Sequence, residues 1–310
     1  MTVTRFPRSS VALLGLLAAA ACGRDAAPTR TFDGARALEY AGTQVAFGPR
    51  VPGTEGHRRA AAWLDSLLRT RADTVVAQRW DHVSLGGDTL PLVNLVARFN
   101  PASTQRILFV AHWDTRPRSD GPGAAPADSA TPVPGANDGA SGVAVLLGIA
   151  DALAARPPTI GVDLLLVDGE DYGIFAEKKD VLIGSRYYAL HPVGPPPLYA
   201  VLFDMVGDRD LRLSREGNSM VGAPEVVELV WTTAADAGFG NVFVGHEGTT
   251  VDDDHVELQK GGIRAVDVID FSYGPNHSWW HTPDDTMDKI SARSLEIVGT
   301  VALALVQRAE

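Results

Sequence analysis

Three carboxylates crowd into four positions, Asp168, Glu170 and Asp171, directly after the apolar run Leu164 to Val167 in "LLLVDGEDYG". Like charge at the end of a buried segment is costly unless something compensates it, because an unpaired buried charge costs several kcal/mol. Further donors follow other apolar runs. His112 and Asp114 end "RILFVAHWD", Asp138 opens the helical pattern that starts "DGASG", Asp204 ends "AVLFD" and His281 lies beyond "IRAVDVIDF". Taken one at a time these residues mean little, since a carboxylate at a strand end is more often a cap or a solvated group. Asp138 in particular is placed as an ordinary helix N-cap. As a set, imidazole and carboxylate are the donors of a borderline-soft divalent metal, zinc above all.

The elements that must carry these residues can be read from hydropathy. "RILFVAHW" (106–113), "VDLLLVDG" (162–169), "LYAVLFDMVG" (198–207) and "IRAVDVIDF" (263–271) are near-continuous apolar runs, which mark strands buried on both faces. Segments 138–156, 222–238 and 291–308 repeat apolar residues at helical spacing, and 55–72 is a further helix. "TVVAQRWDHVSL" and "LPLVNLVARF" predict an antiparallel edge. The expected fold is a three-layer α/β sandwich with a mostly parallel mixed sheet flanked by helices. In such sheets a ligand lies beyond the carboxyl ends of the strands, where the donors above collect. "GSRYYA" predicts a helix from Ser185, and the Pro/Gly/Ala-rich stretch 116–136 predicts a loop, either a mobile insertion or a part of the site mouth.

Composition narrows the function. A chain of 310 residues with 45% hydrophobic content can bury one large core. Its 38 acidic against 27 basic residues argue against a nucleic-acid partner, since a phosphate backbone would go unneutralised. Arg5 and Arg8 precede the apolar run Val11 to Ala21, the pattern of a secretory leader. "LAAAAC" then resembles a bacterial lipobox, and Cys22 is the only cysteine in the chain. The expectation is a leader over 1–21, a linker over 22–33 and one catalytic zinc domain over 34–310. The mature protein would be an exported lipoprotein, periplasmic or on the cell surface, held to a membrane through lipidated Cys22.

In order and at suitable intervals, "AHWDT", "GANDGASG", "DGEDYG", "GSRYYA", "LFDMVG", "DDDH" and "WWHTPDDTMD" resemble the motifs of zinc-dependent peptidase family 28. Within that family the chain is most similar to the animal-type glutaminyl cyclase branch, which also occurs in exported bacterial proteins. The resemblance implies that Asp138, Asp171 and His281 bind zinc and that Glu170 is the general acid/base. Asp204 and Asp253 match acidic positions that in cyclases bond to each other and hold substrate and transition state. Trp280, with Trp279 beside it, would wall the substrate pocket. Asp171 stands where the family usually has glutamate, one methylene longer. The substrate implied is the N-terminal glutamine of peptides or proteins, closed to pyroglutamate. The family's other chemistry, aminopeptidase hydrolysis, uses a pair of metals, and His112 and Asp204 would then join Asp138 around the second ion.

Other residues carry weaker expectations. His246, Tyr273, Asn276 and His277 are further candidates for the pocket lining. Asp284, Asp285 and Asp288 would serve loop hydrogen bonds or orient His281, and Asp114 and Asp168 would support the donors from behind, with Asp114 orienting His112. Arg50, Glu55 and His57 would tie helix to sheet, and a role for Arg186 is a bare suggestion.

Overall fold

The computed structural model describes residues 1–4 and 30–310. The leader, Cys22 and most of the linker lie outside the described residues. The elements are, in chain order, α1 (Gly34–Ala46), α2 (Glu55–Arg69), β1 (Thr74–Val83), β2 (Thr89–Phe99), β3 (Arg106–His112), α3 (Ala140–Ala155), β4 (Gly161–Val167) and α4 (Ile183–Leu190). There follow β5 (Ala200–Asp204), β6 (Leu213–Arg215), α5 (Gly217–Gly222), α6 (Pro224–Asp236), β7 (Phe243–Glu247), α7 (Asp254–Lys260), β8 (Ala265–Ile269) and α8 (Ala292–Ala309).

Six strands form one mixed sheet in the order β1-β2-β4-β3-β5-β8. β1 and β2 pair antiparallel at the edge, as does β2 with β4, while β4-β3, β3-β5 and β5-β8 are parallel. Residue alternation explains the unbroken apolar runs. Ile107, Phe109 and Ala111 of β3 pack on the face covered by α1, α2, α3, α6 and α8, whereas Leu108 and Val110 meet α4 and α7 through Tyr188 and Leu258. Both faces are therefore apolar, and the expected three-layer arrangement is the one found. A short parallel pair, β6-β7, stands apart from this sheet.

The charge buried within β4 is paired. Asp163 of β4 is buried and accepts from Arg106 Nε and Nη2 at 2.7 and 3.0 Å and from Arg98 at 3.2 Å. Such bidentate geometry offsets the desolvation of both partners.

The topology puts the site where the strand ends part company. From β3 the chain crosses through α3 to β4 on one side, and from β4 it returns through α4 to β5 on the other side of β3. The carboxyl ends of β3 and β5 thus flank the point at which the connections reverse, which leaves a crevice there.

Two local starts differ from the sequence reading. The fourth helix begins at Ile183, not Ser185, because Leu182 and Ile183 bond back to the carbonyls of Glu170 and Gly169. Asp138 is not the N-cap of α3. That position is Gly139, at φ +96°, where a Cβ would stand 2.7 Å from the carbonyl oxygen of Asp114, so only glycine fits and the Asp138 side chain is free to turn inward.

Candidate metal centre

The loops after β3, β4, β5 and β8 bring the sequence-predicted donors together. His112 Nε2 lies 3.1 Å from Asp138 Oδ1 and 3.2 Å from Asp204 Oδ1. His281 Nε2 lies 3.4 Å from Asp138 Oδ2 and 3.3 Å from Asp171 Oδ1. Two donor groups result, His112/Asp138/Asp204 and Asp138/Asp171/His281, each with one ligand atom per residue within 4.8 Å of the others. Asp138 belongs to both and turns a different oxygen to each. Its Oδ2 is buried with no hydrogen-bond partner among the described residues, an orphan that a cation would satisfy. The donor chemistry suits zinc.

Backbone bonds from nearby carboxylates hold these loops in place. Asp114 accepts from the amides of Glu170 and Asp171, both at 3.1 Å, so it supports that loop, and its Oδ1 also faces His112 Nδ1 at 3.7 Å. Asp285 accepts from the amides of Asn137 and Asp138 at 2.8 and 3.1 Å and from the Tyr273 hydroxyl at 2.7 Å. Asp168 accepts from His57 Nε2 at 2.9 Å and from Val93 N at 2.7 Å, tying α2 to the sheet. Arg50 donates to the carbonyls of Trp113, Pro134 and Gly135. Glu55 has no such task, being exposed and paired with Arg58 on its own helix. Asp284 and Asp288 are both exposed, and Asp288 pairs with Lys289. Met205 and His281 take φ of +47° and +53°, backbone strain of the kind that gathers at functional sites.

Burial and charge pull the carboxyls in opposite directions. Burial pushes Glu170 well above the ordinary range; His112 opposes this, and Asp171, Asp253 and Asp254 add to it. Burial likewise raises Asp138, with Asp171 adding to the rise, and raises Asp204 against the pull of His112. Asp171 is the exception: burial would raise it, but His281 and Arg116 outweigh burial and hold it below the usual carboxylate range. For His112 burial alone would lower the pKa, yet Glu170, Asp114, Asp138 and Asp204 raise it well above its ordinary value.

A cavity of about 310 Å³ opens on the donors. Asp138, Glu170, Asp204, Asp253 and His281 supply its polar wall, and Phe175, Met205, Val251, Ile269, Phe271 and Trp280 its apolar one. Trp280 stacks on His281, ring centroids 3.8 Å apart. Trp279 does not line this cavity; it packs edge-on against Tyr273 and under Lys289. Asp204 and Asp253 both face the cavity, but no hydrogen bond joins them among the described residues: Asp204 meets His112, while Asp253 caps α7. Tyr273 is buried on Asp285 and His246 is exposed beside Arg212. Asn276 and His277 line a neighbouring cavity of about 350 Å³ that shares Ile269 and Phe271 with the first. Arg186 pairs with Glu257, away from the donors.

Sequence reasoning missed Phe175, Asp254, Asp267, Arg116 and Asp120. Asp267 left a signal, a lone acid in the apolar run "AVDVI"; it is fully buried within 4.8 Å of Asp253 and His255. Burial raises both Asp254 and Asp267 well above the ordinary range.

An α/β sandwich with a buried histidine and carboxylate centre at the strand-order reversal has the layout of a metal-dependent enzyme. The model of peptidase family M28 matches residues 94–306, and the chain belongs to that zinc-dependent family. The structure is similar to that of a glutaminyl cyclase from Porphyromonas gingivalis, 36% identical, covering 90% of this chain and 99% of that one with a TM-score of 0.86. It is equally similar to a leucine aminopeptidase precursor from Bacteroides thetaiotaomicron, at 36% identity, 90% and 98% coverage and a TM-score of 0.85. The aminopeptidase YwaD of Bacillus subtilis is 29% identical over 210 residues, 66% of this chain. The chain covers 41% of that relative's length.

Proposed function

We propose that the protein is a glutaminyl cyclase, converting the N-terminal glutamine of peptides or proteins to pyroglutamate with release of ammonia. Zinc would be held by Asp138, Asp171 and His281, which leaves a coordination position for substrate. The observation that carries this reading is the cavity wall facing those donors: three further carboxyls, Glu170, Asp204 and Asp253, beside a flat apolar box that includes Trp280. Cyclisation needs the amine, the amide and the departing nitrogen all held.

The bound ion would supply polarisation of the γ-carboxamide carbonyl. The α-amine nitrogen bonds to the carbonyl carbon of the side-chain carboxamide, Glu170 takes the proton that nitrogen sheds, and the same carboxyl returns it to the amide nitrogen as the bond from that carbon to the amide nitrogen breaks and ammonia leaves. Asp204 and Asp253 hold N–H groups of the substrate, and Trp280 confines the planar amide. Because the attack is intramolecular, well-oriented groups reach effective molarities of about 10⁵ M or more. Orientation is therefore the main task of the walls. The neighbouring cavity along Gly248 and Thr249 gives the rest of a peptide a place to lie.

A second reading, a zinc aminopeptidase, is favoured by the His112/Asp138/Asp204 group, which could hold a second ion. One assay separates the two. Purified protein given a glutamine-initiated peptide and a leucine-initiated chromogenic amide is expected to release ammonia from the first without freeing an amino acid from the second, and to stop with chelator. Free leucine without ammonia would establish the peptidase instead.

The location proposed is outside the cytoplasm, on a membrane through lipidated Cys22. Protein carrying Cys22→Ala is expected in the soluble fraction where wild type sediments with membranes; equal partition of both would refute the anchor.

A further inference from the structure

We propose that Arg116 and Asp120 form a clamp that positions two metal donors, Asp171 and His281, which makes the Pro/Gly/Ala-rich stretch 116–136 part of the metal centre. Arg116 is buried, 4% exposed. Its Nη1 donates to Asp171 Oδ1 at 2.7 Å and to the Asp171 carbonyl at 3.2 Å. Its Nε and Nη2 donate to the two oxygens of Asp120 at 2.6 and 2.8 Å. Asp120 Oδ1 in turn faces His281 Nδ1 at 3.7 Å, the ring nitrogen opposite the one turned to Asp138 and Asp171.

The oxygen of Asp171 that Arg116 holds is the one that faces His281. Asp171 is a short side chain in a loop, and two bonds from one buried guanidinium fix both its carboxylate and its backbone. A lysine could not reproduce this, since the arrangement needs N–H groups aimed at two residues from one rigid plane. The clamp brings no net charge to the centre, because Arg116 and Asp120 neutralise each other.

The backbone of the stretch is fitted to the same task. Gly121 N donates to the carbonyl of His281 at 3.1 Å, and a Cβ at Gly121 would stand 1.9 Å from the Trp280 carbonyl oxygen, so only glycine lets the loop lie against the His281 segment. Val133 N to Arg116 O at 3.0 Å and Ser119 Oγ to Thr131 O at 2.8 Å close the loop on itself. A bound loop with a buried arginine is not a mobile insertion.

Partners that orient metal ligands are typically worth about 10- to 100-fold in metal affinity. The proposal rests on the metal-centre part of the function proposed above and is independent of which reaction the centre performs. Its test is zinc affinity by competition with a fluorescent chelator, on metal-free full-length protein without its leader, beside thermal melting of the metal-free forms. Arg116→Gln is expected to weaken zinc about tenfold or more, Arg116→Lys to recover part of the loss, and Asp120→Asn to weaken zinc while melting as wild type does. Arg58→Ala, which removes surface bonds to Glu55 and to the carbonyl of Gly53 and touches neither Arg116 nor Asp120, is expected to bind as wild type. Wild-type affinity in Arg116→Gln overturns the clamp, and should that variant fail to fold, wild-type affinity in Asp120→Asn does so. Wild-type protein that takes up no zinc would overturn the metal centre itself.

Discussion

Replacing Glu170 by glutamine is expected to lower turnover of a glutamine-initiated peptide by about 10²- to 10⁴-fold, the usual worth of a general acid/base, while bound zinc stays near the wild-type level. The division follows from where the two neighbouring carboxyls point. Asp171 joins the group with Asp138 and His281, whereas Glu170 lines the cavity, with His112 Nδ1 3.7 Å away. Their environments push them apart in acidity: Glu170 is raised by burial among other acids, and Asp171 is held low by His281 and Arg116 against its own burial. Pairs separated in this way mark a proton carrier beside a permanent anion. Glutamine keeps the shape and loses the proton transfer, so metal analysis and steady-state rates on the same preparation decide the matter. Loss of zinc together with activity would place Glu170 among the ligands.

Much of this centre was legible because the sheet is buried on both faces. Continuous apolar runs gave strand positions to within three residues, and the rule that ligands lie beyond carboxyl ends of strands turned those positions into a list of donors. What the runs hid were the residues whose chemistry is not that of a donor. Arg116 lies two residues after Asp114 in plain view, but a search for metal ligands passes over an arginine. Asp267 was read as part of a strand, and only burial beside Asp253 gives it meaning. Trp279 and Trp280 are adjacent and chemically alike, and nothing in their order says that one faces the cavity and the other Tyr273. Asp138 had every local sign of a helix cap; the positive φ of Gly139, a tertiary constraint, moved the cap one residue on. α1 went unread although its buried residues, Ala37, Tyr40, Ala41 and Gln44, recur at helical spacing.

Metal-free protein is expected to lose thermal stability as pH rises from about 5 to 8, and zinc to remove most of that loss. The sign follows from which state binds more protons. Burial raises Glu170, Asp138, Asp204, Asp253, Asp254 and Asp267, and takes Asp168 and Asp270 to about 6 and Asp285 to about 7. Each therefore holds its proton in the folded state after the unfolded chain, with carboxyls near 4, has released it. Their deprotonation in the fold grows costlier as pH climbs. His112, raised by its carboxylate neighbours despite burial, acts in the same direction, since the stability it lends is lost as pH passes its folded value. The opposing groups, Asp171, Asp120, Asp180 and Glu216, are held low, so their contribution is already complete above pH 5 and does not vary across this window. A bound divalent ion reverses the balance at the centre, because it binds the deprotonated ligands and is itself bound more tightly as protons leave. At zinc about 1,000 times its dissociation constant the added stability is about 4 kcal/mol. Melting curves at pH 5, 6, 7 and 8 with and without zinc measure both slopes, and a metal-free melting temperature that stays level or climbs across that range would refute the account of a centre built from more buried carboxyls than the protein alone can keep ionised.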